Sequence, residues 1–159
     1  MDNKSEYIPG DLVMTNGVPL GTVQNVVYRV TSSDPSTTLK LGDGTVLEGV
    51  VCLENIEGAE FGDKGYLFGD CCAWVKDIVP IPLTPAILEK NGWKKEMYHD
   101  WRYYMTLERT ILYLSEGVSI DGAFSVCAGL NMSEIASISF VHELQHLLFG
   151  LDIKNEMEV

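Results

Sequence analysis

Basic side chains are scarce in this chain: 11 Lys and Arg stand against 23 Asp and Glu, for a formal net charge of −12. That balance argues against the broad positive field that holds proteins on nucleic acid phosphates or anionic membranes. Long apolar runs are lacking as well. No stretch approaches the roughly 18 to 20 uncharged residues that cross a bilayer. The opening Met1-Asp2-Asn3-Lys4-Ser5-Glu6 has no basic region leading into an apolar one, so neither a membrane helix nor a signal peptide is expected. Cysteine is sparse: Cys52, Cys71, Cys72 and Cys127 form no CxxC pair and no dense scaffold. This predicts reduced thiols packed as small hydrophobes in a cytoplasmic, soluble protein. Gly42-Asp43-Gly44 is not followed by the Lys-Ser/Thr of a phosphate loop, and no GxSxG nucleophile elbow occurs. The oligomeric state is not legible in any of these patterns.

What the chain does have is a hydrophobic content of 46% over 159 residues, enough to bury a core. Its first half reads as short strands broken by turn residues: Asp11 to Met14, Gly21 to Val30, Thr37 to Leu41, Thr45 to Val51 and Ala73 to Ile81. Asn16-Gly17 is a candidate tight turn, Thr31 to Ser36 with its Asp34-Pro35 reads as a polar loop, and Asp43-Gly44 suits a hairpin. Glycines 58, 62, 65 and 69 punctuate a loop-rich stretch. Gly10-Asp11-Leu12-Val13 followed by Gly21-Thr22-Val23 is similar to the opening of an SH3-like barrel.

Beyond residue 80, Thr84 can cap a short helix from Pro85 to Asn91 that Gly92 ends. Glu108-Arg109 can reverse the chain between Tyr103 to Leu107 and Thr110 to Leu114, although one longer helix also fits the pattern. Gly117 and Asp121-Gly122 mark turns, and Ala123 to Ala128 reads as a strand. Ser139 can cap a final helix from Phe140 to Phe149, with Phe140, Leu144, Leu147, Leu148 and Leu151 as its apolar face and Gly150 as its stop. The expected fold is α+β. A small SH3-like antiparallel β-barrel spans 8–80, and 81–159 holds a short antiparallel sheet packed by two helices, the two parts forming one compact unit.

His142-Glu143-Leu144-Gln145-His146 is an HExxH sequence on that final helix. Residues four apart share a face, so both imidazoles could bind one Zn²⁺ while Glu143 serves as general base to a metal-bound water. Such a site would hydrolyse peptides. A third ligand is needed, and the 13 residues after His146 hardly allow another helix to supply it. Asp152 falls six residues after His146, where the extended HExxHxxGxxH/D pattern places its third ligand, but Phe149 occupies the glycine position. His99 is the only other histidine. The competing reading leaves His142 and His146 partly exposed and makes Glu143 a partner of the positive end of the helix dipole.

Residues 90–109 gather Lys90, Lys94, Lys95, Arg102 and Arg109 among Trp93, Tyr98, Trp101, Tyr103 and Tyr104. Cations beside stacking aromatics suit single-stranded nucleic acid. The acidic whole favours the opposite reading, with the aromatics in a core and the charges at its edge.

The segments Ile81-Pro82-Leu83-Thr84-Pro85-Ala86-Ile87-Leu88-Glu89-Lys90-Asn91-Gly92-Trp93 and Phe140-Val141-His142-Glu143-Leu144-Gln145-His146-Leu147-Leu148-Phe149 resemble a set of small proteins of Bacteroidales genomes, their phages and other mobile elements. Those proteins carry an IPLTxxxLxxxGF segment and end in VHxLQNLYF. The resemblance implies that Asn commonly stands at the place of His146 and Gln at that of Glu143. VHELQ then becomes a packing signature in which Val141, Leu144 and Leu148 dock the helix on a sheet. The set has no established activity. The expectation is a non-enzymatic binding or accessory protein of a phage-like or mobile-element system, with a protein partner and no cofactor. The alternatives are a zinc peptidase using Glu143, His142, His146 and Asp152, and a single-strand nucleic acid binder using 90–109.

Overall fold

A computed structural model of the chain describes residues 7–17, 26–56, 71–98, 102–116 and 123–159. The chain divides into two compact units, Met1–Ile81 and Pro82–Val159. No described helix is long and apolar enough to cross a membrane.

The first unit is one antiparallel sheet in the order β4-β3-β2-β1-β5, built from β1 (Leu12–Thr15), β2 (Tyr28–Lys40), β3 (Val46–Asn55), β4 (Cys71–Trp74) and β5 (Ile78–Pro80). A 3-10 turn, Val75–Asp77, joins the last two. Tyr7, Val13, Tyr28, Val30, Val51, Leu53, Ala73 and Ile78 form its core. Asp77 is buried, and its Oδ1 accepts from Asn16 Nδ2 and Lys76 Nζ, both at 2.9 Å, which ties the end of β1 to the turn.

Thr31 to Ser36 is not the expected loop but the middle of the 13-residue β2. The pairing shifts register between Asp34 and Thr38, which face Val50 and Glu48. Pro35 is tolerated at such a bulge because no ladder N–H is required there. Asp34 stabilises the bulge by accepting from Ser36 N at 3.0 Å, Ser36 Oγ at 2.6 Å and Thr37 Oγ1 at 2.8 Å. Those bonds hold its carboxyl below the ordinary range. Opposite the bulge, Gly49 has φ +80 and an added Cβ there would meet Val75 Cγ2 at 2.7 Å. The Asp43-Gly44 reversal forms where expected, closed by Leu41 N to Thr45 O at 2.7 Å and Gly44 N to Leu41 O at 3.0 Å.

The second unit carries a sheet in the order β10-β9-β8-β7-β6: β6 (Lys94–Lys95), β7 (Arg102–Thr106), β8 (Ile111–Glu116), β9 (Phe124–Ala128) and β10 (Ser133–Ile138). The 102–116 stretch is a hairpin, not a helix, with Leu107 N donating to Thr110 O at 2.8 Å around Glu108-Arg109. Alternation decides it: Tyr103, Leu112 and Leu114 are buried while Arg102, Tyr104, Tyr113 and Ser115 are half-buried.

Helix α1 (Pro85–Lys90) is capped by Thr84 Oγ1, which accepts from Ile87 N at 3.3 Å. It ends with Trp93 N donating to Leu88 O at 3.0 Å and Gly92 N to Glu89 O at 3.2 Å, a Schellman closure around Gly92 at φ +87. Helix α2 (Val141–Gly150) begins and ends differently from the expectation. Glu143 Oε1 caps it by accepting from Ser139 N and Phe140 N, each at 3.1 Å. Gly150 is its last helical residue rather than its stop. Asp152 takes the left-handed position at φ +58, with Ile153 N donating to Leu148 O at 2.9 Å and Asp152 N to Phe149 O at 3.0 Å. The buried residues are Val141, His142, Leu144, Gln145 and Leu148. The expected apolar face is therefore rotated: Leu151 is exposed, and Phe140 and Leu147 are half-buried. The start of α2 is tied back to the approach to α1 by a Pro82–Phe140 bridge and by Leu83 N to Ser139 O at 2.9 Å.

The expected α+β fold with an SH3-like barrel is corrected by this arrangement. Strands make up 48% of the described residues and helical turns 16%, and among the described residues both sheets are open. Among the described residues β4 and β5 are the two edges of the first sheet and do not pair, so no barrel closes. The strand share exceeds the sequence expectation because β2 runs through its polar stretch and because β6 and β10 carry too few apolar residues to announce themselves. Glycines 58, 62, 65 and 69, the run 21–25 and the turns at 117–122 lie outside the described residues.

Candidate functional site

The HExxH residues sit on the first two turns of α2, and their placement follows from how that helix starts. Without a Ser, Thr, Asp or Asn cap bonding its first turn, the helix start is closed by Glu143, which takes the N–H groups of Ser139 and Phe140. Its carboxylate therefore serves the helix terminus. His142 is not partly exposed as the competing reading expects: it has 0% exposure among the inward residues and lies stacked on Phe140, ring centroids 5.9 Å apart at 15°. His146, half-buried one turn on, meets His142 edge to face with centroids 5.6 Å apart. The two imidazoles are thus brought together as their spacing predicts.

Asp152 is exposed and spends its backbone on the helix stop. Among the described residues no three His, Cys, Asp or Glu side chains form a group that could hold a metal ion. His99 lies outside the described residues. A catalytic zinc takes three protein ligands and an open fourth position, and the donor set at 142–152 does not fit that requirement as placed.

Residues 90–109 are divided between two faces. Trp93 and Tyr103 are core residues at 3% and 2% exposure. Lys90 Nζ donates to Val159 O at 3.0 Å. Lys94 and Lys95 are exposed on β6, Tyr98 is exposed beyond it, Arg109 is exposed at the hairpin bend, and Trp101 lies outside the described residues.

Pairing across the second sheet instead aligns residues that are far apart in sequence. Lys94 faces Tyr104, Tyr104 faces Tyr113, Tyr113 faces Cys127 and Cys127 faces Glu134, so one row crosses all five strands on the face away from the buried residues. Its three central members are half-buried and its two ends exposed. Arg102 lies over the Tyr113 ring at 5.9 Å and pairs with Glu96 Oε2 at 3.2 Å. Burial pushes the Cys127 thiol above its ordinary value, Glu134 raises it further and Arg102 opposes the rise. Sequence reasoning missed Tyr113, Cys127 and Glu134. Period-two alternation in 102–106 and 111–116 assigns Tyr113 to the face of Arg102 and Tyr104, but only the pairing register adds Cys127 and Glu134.

Comparison with known proteins gives no match: no family model, no curated protein and no solved structure is similar to this chain.

Proposed function

We propose that the protein is a non-enzymatic binding or accessory protein that engages a protein partner through the Lys94–Tyr104–Tyr113–Cys127–Glu134 face of its second sheet. The observation that carries this reading is the aromatic and arginine content of that row: Tyr and Arg are enriched where protein interfaces concentrate their energy. Its charges are mixed, with Lys94 at one end, Glu134 at the other and Arg102 matched by Glu96, which suits a protein surface better than a phosphate backbone. Burial of Trp93 and Tyr103 in the core removes two of the rings on which a single strand would stack. A place in a phage-like or mobile-element system rests on the resemblance of segments 81–93 and 140–149 alone.

The test is retention of a partner by immobilised wild-type chain, compared with Tyr113→Ala and Arg102→Glu variants whose circular dichroism is unchanged. The reading requires one protein retained by the wild type and lost from both variants. Identical retention by all three refutes it. The peptidase reading has its own measurement: one zinc per chain, lost on His146→Ala, would replace the binding proposal.

A further inference from the structure

Residues 153–159 follow α2 without joining either sheet, yet their exposure alternates: Ile153, Asn155, Met157 and Val159 are half-buried, while Lys154, Glu156 and Glu158 are exposed. This is the pattern of an extended strand laid on a surface. The outward Lys154 and Glu156 side chains approach each other at 3.8 Å. The bonds that fix the segment are made to its backbone. Asn91 Nδ2 donates to Glu158 O at 2.6 Å and Asn91 Oδ1 accepts from Glu158 N at 2.8 Å. Gln145 Nε2 donates to Asn155 O at 3.2 Å, and Lys90 Nζ to Val159 O at 3.0 Å.

A primary amide offers a donor and an acceptor side by side, which matches the N–H and C=O of one extended residue. The Asn91 amide is also aimed: Nδ2 donates to Ile87 O of its own helix at 2.7 Å, which orients the group. Gln145, at 1% exposure, is held within the buried residues of α2. Fixed side-chain amides that read backbone rather than side chains are the chemistry of extended-peptide recognition. We infer that the surface made by the C-terminal end of α1 and by Gln145 of α2 is an extended-peptide site, filled in cis by residues 153–159 and able to take the same segment of a second copy in trans. This site is separate from the sheet face proposed above and does not depend on it.

The hinge is Asp152. A non-glycine residue at φ +58 turns the chain out of α2 directly before the segment, and a few such residues can absorb the dihedral change of an opening motion. Because the tether is short, the cis segment acts at an effective concentration in the millimolar range or above. In wild-type protein at micromolar concentration the chain's own segment therefore outcompetes that of a second copy.

Glu158→Pro in the full chain removes the N–H that Asn91 accepts from and leaves the site residues untouched. The probe is a fluorescein-labelled peptide of residues 152–159, read by anisotropy. The expected result is saturable binding to Glu158→Pro at least tenfold tighter than to wild type, lost when Asn91→Ala is added. No binding by a Glu158→Pro chain with wild-type circular dichroism, or binding indifferent to Asn91→Ala, overturns the inference. Hydrogen exchange on the wild-type chain tests the same idea without a variant. A segment that opens alone exchanges the Glu158 amide at least tenfold faster than the Leu144 amide of α2, and equal rates overturn the proposal.

Discussion

Glu143 is the residue on which a catalytic and a structural account of α2 make opposite predictions. Its Oε1 accepts from two backbone N–H groups at 3.1 Å, those of Ser139 and Phe140. Alanine removes both bonds. Loss of a helix N-terminal cap costs about 0.5–2 kcal/mol, and loss of a negative charge from the positive end of the helix dipole adds about 0.3–1 kcal/mol. For a half-buried carboxylate holding two donors, a total of about 2 kcal/mol follows. Glutamine keeps an acceptor oxygen at the same reach, so Glu143→Gln forfeits only the charge contribution, about 0.5 kcal/mol. With a urea dependence of about 1–3 kcal/mol per molar, the alanine variant should unfold at a midpoint lower by about 1 M, and the glutamine variant by a quarter of that. Hydrogen exchange at the α2 amides should localise the loss to this helix. Equal destabilisation by Ala and Gln would refute the capping account, and so would no destabilisation by either. A general base would behave otherwise, since both substitutions would abolish hydrolysis while leaving the midpoint in place.

Two further outcomes follow from the geometry. Gly49→Ala places a Cβ 2.7 Å from Val75 Cγ2 at a backbone φ of +80, and should lower stability by about 2 kcal/mol. Adding Val75→Ala should recover the steric part only, and a Gly49→Ala chain with an unchanged urea midpoint would contradict the packing described. Cys127 has its thiol pKa raised by burial first and by Glu134 second, with Arg102 opposing. Because the thiolate is the reactive form, alkylation by iodoacetamide at pH 8 should be slower at Cys127 than at the exposed Cys72. Glu134→Gln should lower the Cys127 pKa and speed its alkylation, whereas Arg102→Gln should slow it; a rate insensitive to both would remove this row of neighbours.

Local signals made several elements legible in advance. Thr84, Pro85 and Gly92 mark α1 because a side-chain oxygen, a missing N–H and a left-handed residue act within one or two turns. Asp43-Gly44 marks its hairpin for the same reason. Register and long strands are another matter. The polar middle of β2 is a strand because β3 supplies its partners, and Asp34 satisfies the bulge that Pro35 would otherwise disrupt. The two residues of β6 are a strand only because β7 lies beside them.

The candidate site divides along the same line. The spacing of His142 and His146 determined that the imidazoles meet on one helix flank, since 3.6 residues per turn admits no other result. Whether Glu143 faces a reacting water or a helix terminus depended on which N–H groups lacked partners, and whether Asp152 returns toward the histidines depended on how α2 stops. Tertiary structure alone aligned Lys94, Tyr104, Tyr113, Cys127 and Glu134, and laid residues 153–159 along Asn91 and Gln145. Composition and periodicity reach one turn or one strand, whereas contacts between distant segments are set by burial and by the pairing of every backbone donor and acceptor.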